Sequence, residues 1–298
     1  MDLLHEDYSE SISWKDRLWR RLNLKKLAIS RAQFQVPSEF TRQRLQTVYR
    51  IPHARIFRTY LPIHDRLRSG NRRQTTPFFF YPARPWKHKN HHNLLRAFQR
   101  YRERTGTAAW RLVLTAGNDQ LTCDLRRLAG ELNLSSHVDF IGDVSEEQLA
   151  DYYQSATALV FPSYYEGFGI PLLEAMHFGL PIICGRGGSQ AEIAGDAALY
   201  VEVGNIEELA EAMRRISCDA DLRRQLADTG RRRLAHFTWR PEVQALADAF
   251  KQAAGGAHAG HPIGRMFRHA FLAGFDLIYA VVAAFTAVLN LTKRRDAS

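Results

Sequence analysis

From residue 76 onward the sequence repeats one pattern: a short apolar run, a loop, and then a stretch with helical amphipathic spacing. This is the pattern of βαβ units, in which a helix connects two parallel strands. Most of the runs are continuously apolar, which indicates strands buried on both faces. The chain is therefore predicted to be α/β, with one doubly wound, Rossmann-like parallel sheet. The six predicted strands are 77–81, 111–115, 138–141, 158–161, 181–184 and 198–201.

Between the runs, apolar residues recur at spacings of three and four, as in helices that pack against a sheet. Two further helices are predicted over 219–236 and 239–253. The first 70 residues predict a basic helix, a short strand near 34–36 and a helix capped by Ser38, too few strands for a domain by themselves. The spacing is carried by Leu94, Leu95, Phe98 and Tyr101, by Leu125, Leu128 and Leu132, and by Leu149, Tyr152 and Tyr153.

The C-terminal part has a different composition. A glycine-rich linker over 255–269 leads to an apolar stretch over 270–291, whose one charge is Asp276 and whose flanks are basic. As a helix this stretch is about 33 Å long, against a bilayer core of about 30 Å. We expect a membrane-associated or transmembrane helix, with basic residues up to 295 at the surface. A buried core helix is the alternative, and Asp276 argues against deep insertion.

The formal charge of +10 over 298 residues favours an anionic partner: nucleic acid, a phosphorylated substrate or an acidic membrane surface. Cys123, Cys184 and Cys218 are widely separated, which indicates neither a disulfide framework nor a zinc site. The N-terminus has no signal-peptide pattern. We therefore expect a cytoplasmic protein, attached to the cytoplasmic face of a membrane.

Three histidines, His88, His91 and His92, lie close together in the sequence. They raise the alternative of a metal site, but no carboxylate or cysteine accompanies them at ligand spacing. We expect no metal.

The loop after the first predicted strand carries two cations just before a helix. They are Arg84 and Lys89. Since the carboxyl ends of parallel strands form the ligand-binding edge of such a sheet, this loop lies where a ligand binds. Fixed cations beside a helix N-terminus suit a diphosphate. The alternative is a solvated basic loop.

The loop after the fourth predicted strand carries two carboxylates, one on either side of a helix start. Pro171 at the beginning and Gly179 at the end delimit that helix, so Glu166 lies in the loop and Glu174 about one turn into the helix. A carboxylate such as Glu174 can accept hydrogen bonds from both ribose hydroxyls. The alternative is that both are ordinary solvated carboxylates.

Two glycines in the same loop allow a ligand to approach the backbone closely. They are Gly167 and Gly169, and their amides, with those of Phe168 and Ile170, can donate hydrogen bonds to sugar hydroxyls. The segment 166–174 is therefore the predicted substrate-binding segment.

The pattern E-x7-E formed by Glu166 and Glu174 resembles that of the retaining GT-B glycosyltransferases of family 4. The resemblance implies a GT-B donor-binding domain over 71–254, with a nucleotide-diphosphate sugar as donor substrate and no cofactor. Further matches lie at 84–90, from 138–142 through 161–163, and at 166–181, 191–198 and 237–239.

The resemblance also implies roles for the site residues. Glu166 contacts the donor sugar, Glu174 holds the ribose, and Arg84 with Lys89 neutralises the diphosphate. Val144 lies beside the nucleotide base. The implied reaction moves a hexose to a glycan or lipid-linked acceptor with retention of configuration.

The chain departs from the family at its N-terminus. Only 4–7 and 38–40 look like landmarks of the N-terminal acceptor domain, so residues 1–70 are expected to be a remnant of it. Retention by front-face displacement needs both domains closed on the substrates. We therefore expect an isolated chain of little activity. The alternative is an inactive or partner-dependent nucleotide-sugar-binding subunit at a membrane, with a partner chain supplying the acceptor domain.

Two other functions are disfavoured. Glycoside hydrolysis needs two acids that face each other across a groove, and it gives Arg84 and Lys89 no role. Nucleic-acid binding is suggested by basic runs such as 231–233, but no aromatic platform lies between them. We expect no nucleic-acid partner.

Overall fold

The computed structural model describes residues 3–30, 32–61, 67, 76–117, 119–238, 243–244, 247–248 and 251. The strands are β1 Phe34–Val36, β2 Ile56–Arg58, β3 Phe78–Tyr81, β4 Arg111–Leu114, β5 Val138–Phe140, β6 Ala158–Phe161, β7 Ile182–Cys184 and β8 Ala198–Tyr200. The helices are α1 Leu4–Asp7, α2 Trp14–Ile29, α3 Glu39–Tyr49, α4 His91–Thr105, α5 Gln120–Glu131, α6 Glu146–Ser155, α7 Ile170–His177, α8 Gln190–Ala194, α9 Ile206–Cys218 and α10 Ala220–Leu234.

Six of the described strands form one sheet in the order β5-β4-β3-β6-β7-β8, and all neighbouring pairs are parallel. Each strand lies within one of the six predicted apolar runs, so the predicted α/β doubly wound sheet is confirmed. The chain winds outward from β3 to β5, then returns to β6 and winds the other way. This reversal places the loops after β3 and β6 side by side, at the switch point where such sheets bind ligands.

The helices cover the sheet with the residues that the spacing predicts. Leu94, Leu95, Phe98 and Tyr101 of α4 are fully buried. Helix α10 confirms the prediction over 219–236, whereas the one over 239–253 lies mostly outside the described residues. Helix α9, which packs against α4, has no predicted counterpart.

The N-terminal residues form a small layer with its own apolar cluster. Strands β1 and β2 pair in parallel, so the predicted strand near 34–36 is confirmed, while its partner β2 has no predicted counterpart. Ser38 caps α3, as predicted, by accepting a hydrogen bond from the Thr41 amide. The cluster consists of Leu3, Leu24, Phe34, Val36, Leu45, Ile51 and Ile56.

Nothing among the described helices has the length and apolar character needed to cross a bilayer. The predicted linker over 255–269 and the predicted membrane helix over 270–291 lie outside the described residues. The boundaries 1–70 and 71–254 stay predictions.

Candidate functional site

An ion pair joins the loops that follow β3 and β6. The Lys89 ammonium Nζ lies 2.6 Å from Glu166 Oε1, and the two side chains are only 14% and 11% exposed. The Lys89 ammonium also lies 5.5 Å from the centre of the Phe161 ring at the end of β6. The structure therefore brings together two residues that the sequence assigns to one site, one from each loop.

The backbone on the Lys89 side is fixed by polar side chains from the sheet. The Tyr81 hydroxyl donates to the Lys89 carbonyl at 2.8 Å and lies 3.1 Å from Ser163 Oγ. Asn90 adopts a left-handed conformation with φ of 60°. Its side-chain nitrogen, Nδ2, donates hydrogen bonds to the carbonyls of Pro162 and Val203. Asparagine tolerates this conformation better than most residues and supplies the donor. These contacts tie the two loops together.

The Glu166 backbone is held from the opposite side by the loop after β7. The Ser189 amide and hydroxyl donate to the Glu166 carbonyl at 3.0 and 3.1 Å, and the hydroxyl also donates to the Phe168 carbonyl at 2.9 Å. Gly188 is required here, because a Cβ at that position would lie 2.2 Å from the Glu166 carbonyl oxygen. The Glu166 loop is therefore built on a close contact between two backbones.

The N-terminal layer fixes the next carbonyl of this loop. The Ser38 hydroxyl donates to the Gly167 carbonyl at 2.7 Å, and the Thr41 hydroxyl donates to it at 3.3 Å. The Glu192 carboxylate in turn accepts hydrogen bonds from the amides of Glu39 and Phe40 at 2.6 and 2.9 Å. The start of helix α3 is thus docked on two elements, the predicted donor loop at Gly167 and helix α8 at Glu192.

The amides of the same loop are left for a ligand. Within the described part of the chain, no protein acceptor receives a hydrogen bond from the backbone nitrogens of Gly167, Phe168 and Gly169. Gly169 has φ of +93° at the N-cap of α7, and Ile170 is the first residue of the helix, where a backbone amide has no acceptor within the helix. The Phe168 side chain is buried against Tyr60, so this residue offers a ligand its backbone alone.

Glu174 lies on α7 and is 4% exposed. Its Oε2 accepts a hydrogen bond from the Tyr153 hydroxyl at 2.7 Å. The structure therefore gives this carboxylate a partner on α6, Tyr153, that the sequence did not indicate. Its role toward a ribose stays a prediction.

Arg84 belongs to a second, more exposed part of the sheet edge. Its guanidinium pairs with Asp143 at 2.7 Å, with side chains 51% and 62% exposed. Gly117, after β4, lies beneath the pair, since a Cβ there would be 3.3 Å from Arg84 Nη1. Val144 follows Asp143 in the loop after β5. The two predicted cations, Arg84 and Lys89, thus have separate carboxylate partners.

The neighbouring histidines have protein partners. Burial lowers the pKa of His91 to about 3, so the ring is neutral and lies with Nε2 3.2 Å from the Ala83 carbonyl. His88 is buried, and its Nδ1 lies 3.1 Å from Ser11 Oγ. Among the described residues, no group of three or more histidine, cysteine or acidic side chains could hold a metal ion.

An open cleft of about 570 Å³ lies beyond this site, at the carboxyl ends of β7 and β8. Its lining includes Tyr164 and Gly187 but none of the predicted site residues. The Lys89–Glu166 pair, and not this cleft, marks the candidate site, because the pair lies at the switch point and the loop that follows Glu166 carries the amides of 167–169.

The fold, together with a site at the carboxyl edge of the sheet, defines the class of the protein as an α/β domain of GT-B type. The solved sucrose-phosphate synthase from Thermosynechococcus elongatus superposes with a TM-score of 0.70 at 24% identity, covering 85% of this chain and 65% of that one. HepE of Anabaena, solved with UDP and glucose, gives a TM-score of 0.70 at 15% identity, covering 82% and 69%. The glycosyltransferase WaaG gives 0.66 at 20% identity, covering 82% and 70%.

The family model described as glycosyl transferases group 1 matches residues 64–233, more than half of the chain. The chain belongs to this family. O-antigen chain mannosyltransferase B of Escherichia coli is 31% identical over 114 residues, covering 38% of this chain and 30% of the relative. O-antigen chain mannosyltransferase RfbU of Salmonella typhimurium is 30% identical over 150 residues, covering 47% and 41%. The matches thus span less than half of these relatives.

Proposed function

We propose that this chain transfers a hexose from a nucleotide-diphosphate sugar to a glycan or lipid-linked acceptor, with retention of configuration. The observation that carries the proposal is the buried pair of Lys89 and Glu166 at the switch point of the sheet. The mannosyltransferase names of two relatives support a hexose as the transferred group.

Each predicted residue has a chemical task in this reaction. The Lys89 ammonium stabilises the charge that develops on the departing diphosphate, and the exposed Arg84 guanidinium contributes at its other end. Glu166 accepts a hydrogen bond from a sugar hydroxyl while it orients Lys89. The amides of 167–170 donate to the sugar or to the diphosphate.

The nucleoside is held farther from the reacting atoms. The Glu174 carboxylate accepts hydrogen bonds from the ribose hydroxyls. In this structure it accepts one from the Tyr153 hydroxyl, which the ribose either displaces or joins. Val144, in the loop beside Arg84, packs against the base.

The transfer step is a front-face displacement. The bond from the anomeric carbon to the phosphate oxygen breaks, and the bond to the acceptor oxygen forms on the same face. The acceptor proton passes to the departing phosphate oxygen, so the protein needs no separate base. This step depends on exclusion of water by closure around both substrates.

A second candidate function is a partner-dependent nucleotide-sugar-binding subunit. It is supported by the same buried pair of Lys89 and Glu166, because a donor site can hold a nucleotide sugar without an acceptor site beside it. In this case another chain supplies the acceptor site. We also propose that the apolar and basic stretch 270–295 attaches the protein to the cytoplasmic face of a membrane, as its length and flanking charges support.

The full chain incubated with uridine, guanosine and adenosine diphosphate hexoses and a glycolipid extract separates these functions. Transfer of labelled sugar that is abolished by Glu166→Ala identifies an enzyme, and the anomeric configuration of the product tests retention. Donor binding without transfer identifies the partner-dependent subunit. If no nucleotide sugar binds, both proposals are wrong.

A further inference from the structure

Helix α2 exposes an apolar face to solvent. The side chains of Trp14, Leu18, Leu22 and Ile29 are between 49% and 89% exposed. At about 100° per residue these four lie within an arc of about 80° on one side of the helix. Trp19, which is 67% exposed, lies about 60° beyond the Leu22 edge of this arc. Solvated helix faces are normally polar, so this face is suited to contact with a partner.

The same helix is strongly basic. It contains six Lys or Arg residues and one Asp, a net charge of +5 (6 − 1). Lys15, Lys25 and Lys26 are exposed, and the helical spacing places them within or beside the apolar arc. The exposed surface of α2 thus combines large apolar side chains with ammonium groups.

The side of α2 that packs on the protein adjoins the Trp14 edge of this arc, which fixes the direction of the apolar face. Leu24 is buried in the cluster of the N-terminal layer. Arg21 Nε donates to Glu6 Oε1 at 2.8 Å. Rotation of the helix to bury Trp14 and Leu18 would break both contacts.

We propose that the exposed face of α2 binds the surface of an anionic lipid bilayer. The Trp and Leu side chains enter the boundary between headgroups and acyl chains, while the lysine ammonium groups contact lipid phosphates. Trp is well suited to this depth, because its ring is apolar and its N–H is a donor. The inference goes beyond the proposed sugar transfer and does not depend on it.

Charge argues against other occupants of this face. A second copy of the chain would place a helix of charge +5 against another of the same charge. Nucleic acid would satisfy the lysines and could stack on Trp14 and Trp19, but it would leave the aliphatic side chains of Leu18, Leu22 and Ile29 without an apolar partner. An anionic bilayer satisfies both the charges and the aliphatic side chains.

Binding of the full chain to phosphatidylcholine vesicles with and without phosphatidylglycerol measures the affinity. Beyond any attachment through 270–295, which both kinds of vesicle allow, we expect phosphatidylglycerol to strengthen the binding and salt to weaken that gain. Leu18→Ser/Leu22→Ser should reduce the gain in affinity due to phosphatidylglycerol about tenfold or more, because two apolar side chains no longer enter the bilayer. Leu121→Ser on α5, which changes a 44% exposed leucine, is the matched control and should bind as the wild type does. All three leucines are exposed, so thermal stability should be preserved.

Quenching by brominated lipids then locates the contact. The stretch 270–291 contains no tryptophan, so it does not contribute to this signal. We expect quenching in the wild type and its loss in Trp14→Phe/Trp19→Phe, even where the vesicles still bind. Unchanged quenching in that variant, or an unchanged gain in affinity from phosphatidylglycerol after both leucine substitutions, would overturn the proposal. Displacement of the vesicles by DNA, with no quenching, would also overturn it and identify a nucleic-acid surface.

Discussion

The Lys89 ammonium and the Glu166 carboxylate form a 2.6 Å ion pair although 77 residues separate them in the sequence. The contact exists because the sheet reverses its winding direction between β3 and β6, which makes the two loops neighbours. Both side chains are largely buried, so each charge depends on the other for its stabilisation.

Removal of either charge should therefore affect both stability and sugar transfer. Lys89→Met and Glu166→Gln should each lower the free energy of unfolding by about 1–3 kcal/mol, because a buried charged group loses its partner. Each should also reduce sugar transfer by about a hundredfold. Denaturant unfolding and turnover of labelled donor measure the two effects.

The double variant is the control for this prediction. Lys89→Met/Glu166→Gln should be more stable than the sum of the single losses implies, because no unpaired charge remains, yet it should stay inactive. Additive stability losses would show that the pair is not coupled.

Ser38 should affect the donor loop as well as its own helix. Ser38→Ala removes the cap of α3 and the donor to the Gly167 carbonyl, so we expect a loss of about 1 kcal/mol and weaker nucleotide-sugar binding. Asp219→Ala removes the cap of α10, which accepts from the Leu222 amide. A similar loss of stability with unchanged binding is expected for this control. Equal binding by both variants would contradict a positioning role for Ser38.

Arg84 should contribute to anion binding but not to folding. Its pair with Asp143 is about half exposed, and exposed pairs contribute about 1 kcal/mol or less. Arg84→Met should change the unfolding free energy by less than about 0.5 kcal/mol and weaken nucleoside diphosphate binding about tenfold. Arg127→Met, at a more exposed arginine on α5, should change neither quantity. An unchanged diphosphate affinity for Arg84→Met would remove Arg84 from the site.

His91 should make the protein sensitive to moderate acid. Burial holds the folded pKa at about 3, whereas the unfolded residue titrates near 6.5. The unfolded state binds the additional proton in this window, so stability falls as pH falls from 6.5 toward 3, by about 1.4 kcal/mol per pH unit well below pH 6.5. In His91→Gln this dependence should become shallower by that amount. His53→Gln, at an exposed histidine, should retain the wild-type slope.

The sheet could be predicted from the sequence because each of its strands is marked by a pattern of neighbouring residues. Each buried parallel strand is a continuous apolar run, and every one of the six runs contains one strand of the sheet. The short strand β2 has no such run, since its pattern is one buried and two half-buried residues with an arginine at the end. It is defined by its pairing with β1.

The candidate site could be predicted only in part. Glu166 and Lys89 each follow a predicted strand. Once the strand order is known, the two loops can be predicted to be neighbours. Ser38, Ser189 and Glu192 contact the same loop or its support from distant segments, through single hydroxyls and carboxylates with no local pattern. Tyr153 likewise reads as an ordinary core residue of α6, and only the fold places its hydroxyl against Glu174.

Calorimetric titration of the full chain with a nucleotide sugar and with the matching free nucleoside diphosphate tests the donor site most directly. The wild type should bind both. Glu166→Gln should weaken binding of the nucleotide sugar more than binding of the free diphosphate, because the proposed function assigns Glu166 to the sugar. Glu174→Gln should weaken binding of both ligands alike. A wild type that binds neither ligand, or variants that bind both as the wild type does, would contradict the assignment of this site.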